Sequence, residues 1–277
     1  MLRATRSATA SLEMTHRAED EARGIAIVRE ISDSYSECLL QYQQRRPINV
    51  GLAKIQHQAY VEALKGLGLR VVVLPADHCF PDACFVEDAA VVLDEIAVIT
   101  RMGAERRNGE QQAVARCLAQ WRELVYMEPP AQLEGGDVLR AGRHLFVGES
   151  SRTNREGIEF LKEVAGTWGY QVIAVPVRGA LHLKTVGTAV ARTTVIAAPS
   201  VLPELKPYLP GFSILEVHEE DAAAANVLSR GRAVLLPKGH PTVAAQLARL
   251  GLTVTELDIS EFRKGEGGLT CLSIIID

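Results

Sequence analysis

No stretch of this sequence is apolar for long enough to cross a bilayer as a helix, which takes about 20 consecutive apolar residues. Neither sign of charge dominates: 30 Lys and Arg stand against 34 Asp and Glu, a net charge of −4. Aromatic residues make up only 5% and are not interleaved with basic ones, so no nucleic-acid partner and no membrane partner is expected. Cysteine is scarce and odd in number: Cys38, Cys79, Cys84, Cys117 and Cys271 at irregular spacings. That excludes a disulfide framework and suits free thiols in a reducing, cytoplasmic compartment. A phosphate-cradling glycine loop is missing too. Gly265-Glu266-Gly267-Gly268 lacks the strand-to-helix context that a nucleotide fingerprint needs. His78-Cys79 with Cys84 has no second ligand pair, so a structural zinc is not expected.

What is present is enough apolar residue, 47% of 277, to bury a sizeable core in one large domain or two ordinary ones. Met1 to Gly24 is rich in Ala, Ser, Thr, Arg and Glu and has no apolar h-region. It reads as a disordered leader, with Met14 as an alternative start, rather than as a secretory signal. Residues 25–277 read as a single catalytic domain.

That domain repeats. Asn49 caps a helix whose apolar face is Val50, Ala53, His57, Tyr60, Val61 and Leu64, and Gly66 and Gly68 end it. A strand from Leu69 to Leu74 follows, then a loop, Ala76 to Asp82, then a hairpin of Cys84–Leu93 with Ile96–Thr100. The order returns with helix Gln111–Trp121, strand Leu124–Glu128, loop Glu134–Asp137 and hairpin Val138–Val147. It returns again with helix Arg155–Trp168, capped by Thr153 or Asn154, strand Tyr170–Val177, a loop at His182 and hairpin Thr185–Ala197. A shorter fourth pass runs from Leu202 to the hairpin at Arg230-Gly231. A fifth has helix Thr242–Leu250, strand Thr253–Leu257, loop Phe262–Gly268 and a last strand carrying Cys271. The period is roughly 40 to 55 residues, five times over. Such a unit cannot bury its own apolar face, so the units must pack together. The fold class expected is α/β, arranged as a closed five-bladed α/β propeller, against the alternative of an ordinary open α/β protein.

The chemically loaded residues fall at equivalent loops. Asp82, Glu87 and Asp88 belong to the first unit, Glu134 to the second, His182 to the third and Cys271 to the fifth. In a ring these points face one cavity. Taken singly each has an ordinary reading. Asp82 could be a turn residue, Glu134-Gly135-Gly136-Asp137 a tight turn, His182 a satisfied core histidine and Cys271 a small buried hydrophobe. Together they bring a thiol, an imidazole and carboxylates to one point. A thiolate can attack an electrophilic carbon while a histidine moves protons, and carboxylates favour a cation such as a guanidinium.

Asp82-Ala-Cys-Phe-Val-Glu87-Asp88, Leu133-Glu134-Gly-Gly-Asp137-Val-Leu, Arg152-Thr-Asn, Leu181-His182-Leu-Lys184 and Leu269-Thr-Cys271 resemble the dimethylarginine dimethylaminohydrolases. These belong to the guanidino-group-modifying enzymes with the pentein fold. The resemblance runs in order from about Leu40 to the C-terminus. It implies hydrolysis of Nω-methylated L-arginine to L-citrulline and dimethylamine or methylamine through a covalent thiouronium. It implies Cys271 as nucleophile, His182 as general acid and base, and Glu134 orienting the histidine and helping to hold the guanidinium. Asp88 with Glu87 would grip the guanidinium, and Asp82 would receive the α-amino group, aided by carbonyls near Leu40 and Gly265. Arg107, or its neighbour Arg106, would bind the α-carboxylate with Arg152. No metal and no organic cofactor is implied, and the partner is a small guanidino substrate bound by a monomer or homodimer. Two departures stand out. Gly265 replaces a branched apolar residue, so a looser loop is expected, and Ser34–Pro47 is unlike the family's lid. Arginine deiminase, another substituted-guanidine hydrolase or an amidinotransferase would use the same machinery, and a silent propeller acting as a binding module is a further reading.

Overall fold

The structure, a computed structural model, describes residues 24–277. Apart from Gly24, the expected leader lies outside the described residues. Among the described residues no helix is long and apolar enough to cross a membrane.

The helix expected after Asn49 spans Val50–Gly66, and Asn49 Oδ1 accepts the N–H of Leu52 as its cap. Ala53, His57, Tyr60, Val61 and Leu64 are buried, as the 3.6-residue period requires. All but His57 pack with Val28, Tyr35, Phe85, Phe262, Leu269 and Leu272, and His57 lies against Phe262, so the face that stabilises the helix also fixes three loops of the site. Burying each Leu or Val side chain of this kind contributes about 1.5–3 kcal/mol. Helix Arg155–Gly166 is capped by Asn154, whose Oδ1 accepts the N–H of Gly157, rather than by Thr153.

Among the described residues fifteen strands form five separate three-stranded sheets, and none closes on itself. Strands β3 (Ala90–Val92), β4 (Ile96–Ile99) and β5 (Glu123–Tyr126) make one. The inner strand is antiparallel to the middle strand, and the middle strand is parallel to the outer one, which is reached through a helix. β6 (Val138–Ala141), β7 (His144–Glu149) and β8 (Gln171–Pro176) repeat this. So do β9 (Gly187–Ala191), β10 (Thr194–Ala197) and β11 (Ser213–Glu216), and β12 (Leu228–Arg230), β13 (Ala233–Pro237) and β14 (Thr253–Leu257). The remaining sheet joins the two ends of the described chain. β1 (Ile25–Arg29) pairs antiparallel with β15 (Ile274–Ile276) and parallel with β2 (Arg70–Leu74). The helix-strand-loop-hairpin order is as expected, but four of the sheets take their hairpin from one unit and their outer strand from the next, and the fifth pairs the two ends of the described chain.

Two expected strands are shorter than the pattern suggested. Cys84–Ala89 is not extended: Val86–Ala89 forms a 3-10 turn, and β3 begins only at Ala90. Cys271 likewise lies in a 3-10 turn, Thr270–Leu272, ahead of β15 rather than on it. Gly135–Asp137, Leu183–Val186 and Glu219–Ala225 occupy the same place before β6, β9 and β12. A straight strand would send alternate side chains to opposite faces. A tight turn before the inner strand breaks that alternation, and the successive residues Glu87 and Asp88 are both buried, facing different partners.

Candidate active site

Six chain segments line the site, and the turns just described carry or adjoin Asp88, His182 and Cys271. Cys271, His182, Asp88, Asp82, Arg107 and Arg152 line one small cavity together with Leu39, Gly265 and Glu266. Its volume is about 20 Å³, room for little more than one water molecule. Glu134 lies behind the wall at 0% exposure. Glu87 and Leu40 do not line this cavity. Leu40 is half-buried against the core beside it, and Leu39 takes the facing position. A much larger cavity, about 760 Å³, is lined by the five inner strands β3, β6, β9, β12 and β15. It does not contain the thiol, and Glu87, Lys184 and Thr270 stand where it nears the site.

Glu134 is fixed from both sides. Its Oε1 accepts the backbone N–H groups of Gly103 and Ala104 at 3.1 and 3.2 Å. Its Oε2 lies 2.8 Å from His182 Nε2, and Arg152 Nη1 donates to it at 3.2 Å. Burial alone would raise its pKa, but the His182 hydrogen bond and the charges of Arg107, His182 and Arg152 hold it well below the usual carboxylate range. His182 shows the counterpart. Burial opposes its charge, yet Asp88, Asp137 and Glu134 push it up to about 9. Asp88 accepts the N–H of Gly136 at 3.0 Å through Oδ1, which stands 3.9 Å from His182 Nδ1.

Gly136 is glycine because of this crowding. A Cβ there would stand 2.5 Å from His182 Nδ1 and 2.7 Å from Asp88 Oδ1. The sequence motif assigns Glu134 the orienting of the histidine and gives Asp137 no part. Asp137 is fully buried and accepts from Leu183 N–H, Ser150 Oγ and Thr153 Oγ1 at 2.9, 2.6 and 2.7 Å. It thereby ties the loop of His182 to the loop of Arg152.

Glu87 points the other way from Asp88. Lys184 Nζ donates to its Oε1 at 2.6 Å and Thr270 Oγ1 to its Oε2 at 2.8 Å. Asn226 clamps the same turn, accepting Thr270 N–H at 3.1 Å and donating to Lys184 O at 2.8 Å. The sequence motifs assign these three residues no role, although Lys184 and Thr270 lie inside two of them. The Cys271 thiol next to this clamp is half-buried and accepts the Gly268 N–H at 3.4 Å. Burial, with Glu87 and Asp88 nearby, pushes it up to about 12.

Arg107, not Arg106, is the buried arginine of the pair. Its Nη1 donates to Asp88 Oδ2 at 2.7 Å and lies 3.6 Å from Glu134 Oε2. Its Nε and Nη2 both donate to Glu110, at 3.1 and 2.9 Å. Burial would weaken its charge, but Glu110, Asp88 and Glu134 raise its pKa well above the ordinary value. Glu110 itself is pushed up to about 7 by burial, against the pull of Arg107. Among the described residues Asp88, Glu134 and His182 are the one His/Cys/Asp/Glu set close enough to hold an ion, and Arg107 already brings a cation to two of them.

Asp82 and Arg152 meet the segment that follows Cys38. Both Asp82 oxygens lie 3.1 Å from the Leu39 N–H, and Arg152 Nε donates to Gln41 Oε1 at 3.2 Å. Gly265 sits in a crowded place. A Cβ there would stand 2.5 Å from Tyr35 Oη, so a buried tyrosine takes the space that a larger side chain would need.

An α/β chain that gathers a cysteine, a carboxylate-bound histidine and further acids around one buried cavity is built as a cysteine-dependent enzyme for a cationic substrate. A sequence profile described as N,N dimethylarginine dimethylhydrolase, eukaryotic, matches residues 30–274, and the chain belongs to that family. The N(G),N(G)-dimethylarginine dimethylaminohydrolase of Streptomyces coelicolor is 40% identical over 262 residues, 90% of this chain and 95% of that protein. Its namesake from Pseudomonas aeruginosa is 36% identical over 221 residues, 79% of this chain and 86% of that protein. A solved structure of a Pseudomonas aeruginosa variant complexed with citrulline superposes with a TM-score of 0.87. It is 33% identical and covers 91% of this chain and 98% of that one.

Proposed function

We propose that this protein hydrolyses Nω-methylated L-arginine to L-citrulline and dimethylamine or methylamine. The observation that carries this reading is one cavity lined by the Cys271 thiol, the His182 imidazole and the Asp88 carboxylate, with Glu134 fixing the histidine from behind. Family membership and relatives named for this activity support the substrate class.

Asp88 receives the substrate guanidinium, which takes over the place of the Arg107 guanidinium. One cation replaces another, so the buried acids never lose their counter-charge. Freed from Asp88, Arg107 turns with Arg152 to the α-carboxylate. Asp82, with the carbonyls of the Leu40 and Gly265 loops, takes the α-amino group. The arriving cation beside Cys271 offsets the charges that raise the thiol's pKa and favours the thiolate. Sulfur attacks the guanidino carbon, His182 protonates the departing methylated amine, and a thiouronium to Cys271 remains. His182 then takes a proton from water, whose oxygen attacks the same carbon; citrulline leaves and the thiol is restored. Glu87 acts from behind, through Lys184 and Thr270, on the turn that carries the thiol. Side chains and water carry the bond-making steps, and the backbone carbonyls serve binding.

The five three-stranded sheets around one cavity support a five-bladed α/β propeller, with residues 25–277 as one catalytic domain. Every group in the scheme comes from one chain, so a monomer or a homodimer serves equally. Five unpaired thiols, a reactive one among them, suit the cytoplasm.

An end-point assay with asymmetric dimethylarginine and, separately, arginine tests the reading. Citrulline with dimethylamine from the first substrate alone is expected. Ammonia from arginine at comparable efficiency would make the protein a deiminase, and no product from either would overturn the methylarginine assignment.

A further inference from the structure

The cavity that holds the thiol has no room for an amino acid, so some part of its wall must move for substrate to enter. Residues 41–47 are all exposed, and Tyr42 stands 48% exposed, so apolar burial does not hold this stretch down. Polar contacts hold it: Arg45 donates to the carbonyls of Ser36 and Cys38, Lys264 donates to that of Pro47, and one side chain gathers three of its backbone N–H groups. Glu266 Oε2 accepts the backbone N–H of Gln41 at 3.0 Å, and Oε1 accepts those of Tyr42 and Gln43 at 2.6 Å each. Three successive N–H groups converging on a carboxylate make an anion nest with charge-assisted hydrogen bonds. Among the described residues Glu266 is also the only one other than glycine with a left-handed φ, +62°. That conformation is unfavourable for a side chain-bearing residue, and it persists only where the surroundings impose it. Here it aims the carboxylate from the wall of the thiol cavity out to residues 41–43.

We infer that Glu266 is the latch of a lid formed by residues 39–47, and that through the lid it positions Arg152. The closed lid sets Leu39 N–H on Asp82 and brings the Gln41 side chain between Ser151 Oγ, to which it donates at 2.8 Å, and Arg152 Nε, from which it accepts. Releasing the nest therefore opens the cavity and removes a support of the arginine that faces the substrate. Glu266 is a positioning residue: it reaches the reaction through Gln41 and Arg152.

The test compares wild-type protein with Glu266→Ala and Glu266→Gln by the rate at which iodoacetamide alkylates Cys271 in the absence of substrate, read by peptide mass spectrometry. Exposed Cys79 is the internal reference. Removing the carboxylate raises the Cys271 rate relative to Cys79 by about tenfold or more, as loss of charge-assisted hydrogen bonds should, and Glu266→Gln falls between. KM for asymmetric dimethylarginine rises while kcat stays within about threefold, the signature of lost uniform binding. An unchanged Cys271-to-Cys79 ratio overturns the latch, and so does an equal rise at every thiol, which would be general loosening. If Glu266→Ala does not fold, the uncharged isostere Glu266→Gln decides by the same ratio. The kinetic arm rests on the methylarginine reading. The alkylation arm uses no substrate, so failure of the latch and failure of that reading remain distinguishable.

Discussion

His182 gains its proton affinity from three carboxylates and loses part of it to burial, ending at about 9 against an ordinary 6.5. A basic group raised on folding stabilises the folded state fully below its unfolded pKa, and that contribution disappears as pH climbs through the folded value. The stability His182 confers over His182→Asn is therefore greatest below pH 6.5 and falls away towards and past about 9. Urea unfolding of both proteins across that window measures it. A difference that stays constant or grows with pH would contradict a charged, carboxylate-held imidazole. The residue types at the site were legible because a thiol, an imidazole and acids recur at equivalent loops. Asp137 and Glu110 were not. Each acts through contacts to Ser150, Thr153, Leu183 or Arg107 that only folding creates, and an acid beside a glycine or an arginine looks like surface in a linear sequence.

At the scale of the element, the short turns ahead of the inner strands do most of the aiming. They are three to seven residues long, too short to show a helical period, and the apolar runs that follow them read as longer strands. That is why Cys84–Ala89 and the residues around Cys271 were expected to be extended. The long helices were legible because their faces span several turns and their caps, Asn49 and Asn154, are good N-cap types. Gly136 shows what such a turn demands. Gly136→Ala should cut kcat by about tenfold or more and cost about 1–3 kcal/mol of stability by overpacking His182 and Asp88. Gly142→Ala, in the β6–β7 turn with φ +64° and only ordinary contacts to Arg192 at 3.9 Å or more, should cost about 1 kcal/mol in stability and leave kcat alone. Steady-state kinetics and thermal melts of the two variants check the contrast. Equal kcat losses would mean that crowding at the histidine is not what matters.

For the whole molecule, the fivefold recurrence was legible because helix, strand, loop and hairpin return at a near-constant interval. Which strands share a sheet was not. That depends on β1 pairing with β15 across almost the whole chain, a contact with the largest sequence separation and no local signal. The latch is hidden for the same reason: Glu266 and Gln41 lie 225 residues apart. The gathered turns place Cys271 where the wall from β15 meets those of His182 and Asp88, and covalent hydrolysis follows from that meeting. Citrulline formation from asymmetric dimethylarginine by Cys271→Ser, at substrate levels that saturate the wild type, tests this most directly. Turnover should fall by a factor on the order of 10⁴ or more, the scale on which removal of an essential nucleophile acts. A serine variant that works at the wild-type rate would contradict a covalent route through Cys271.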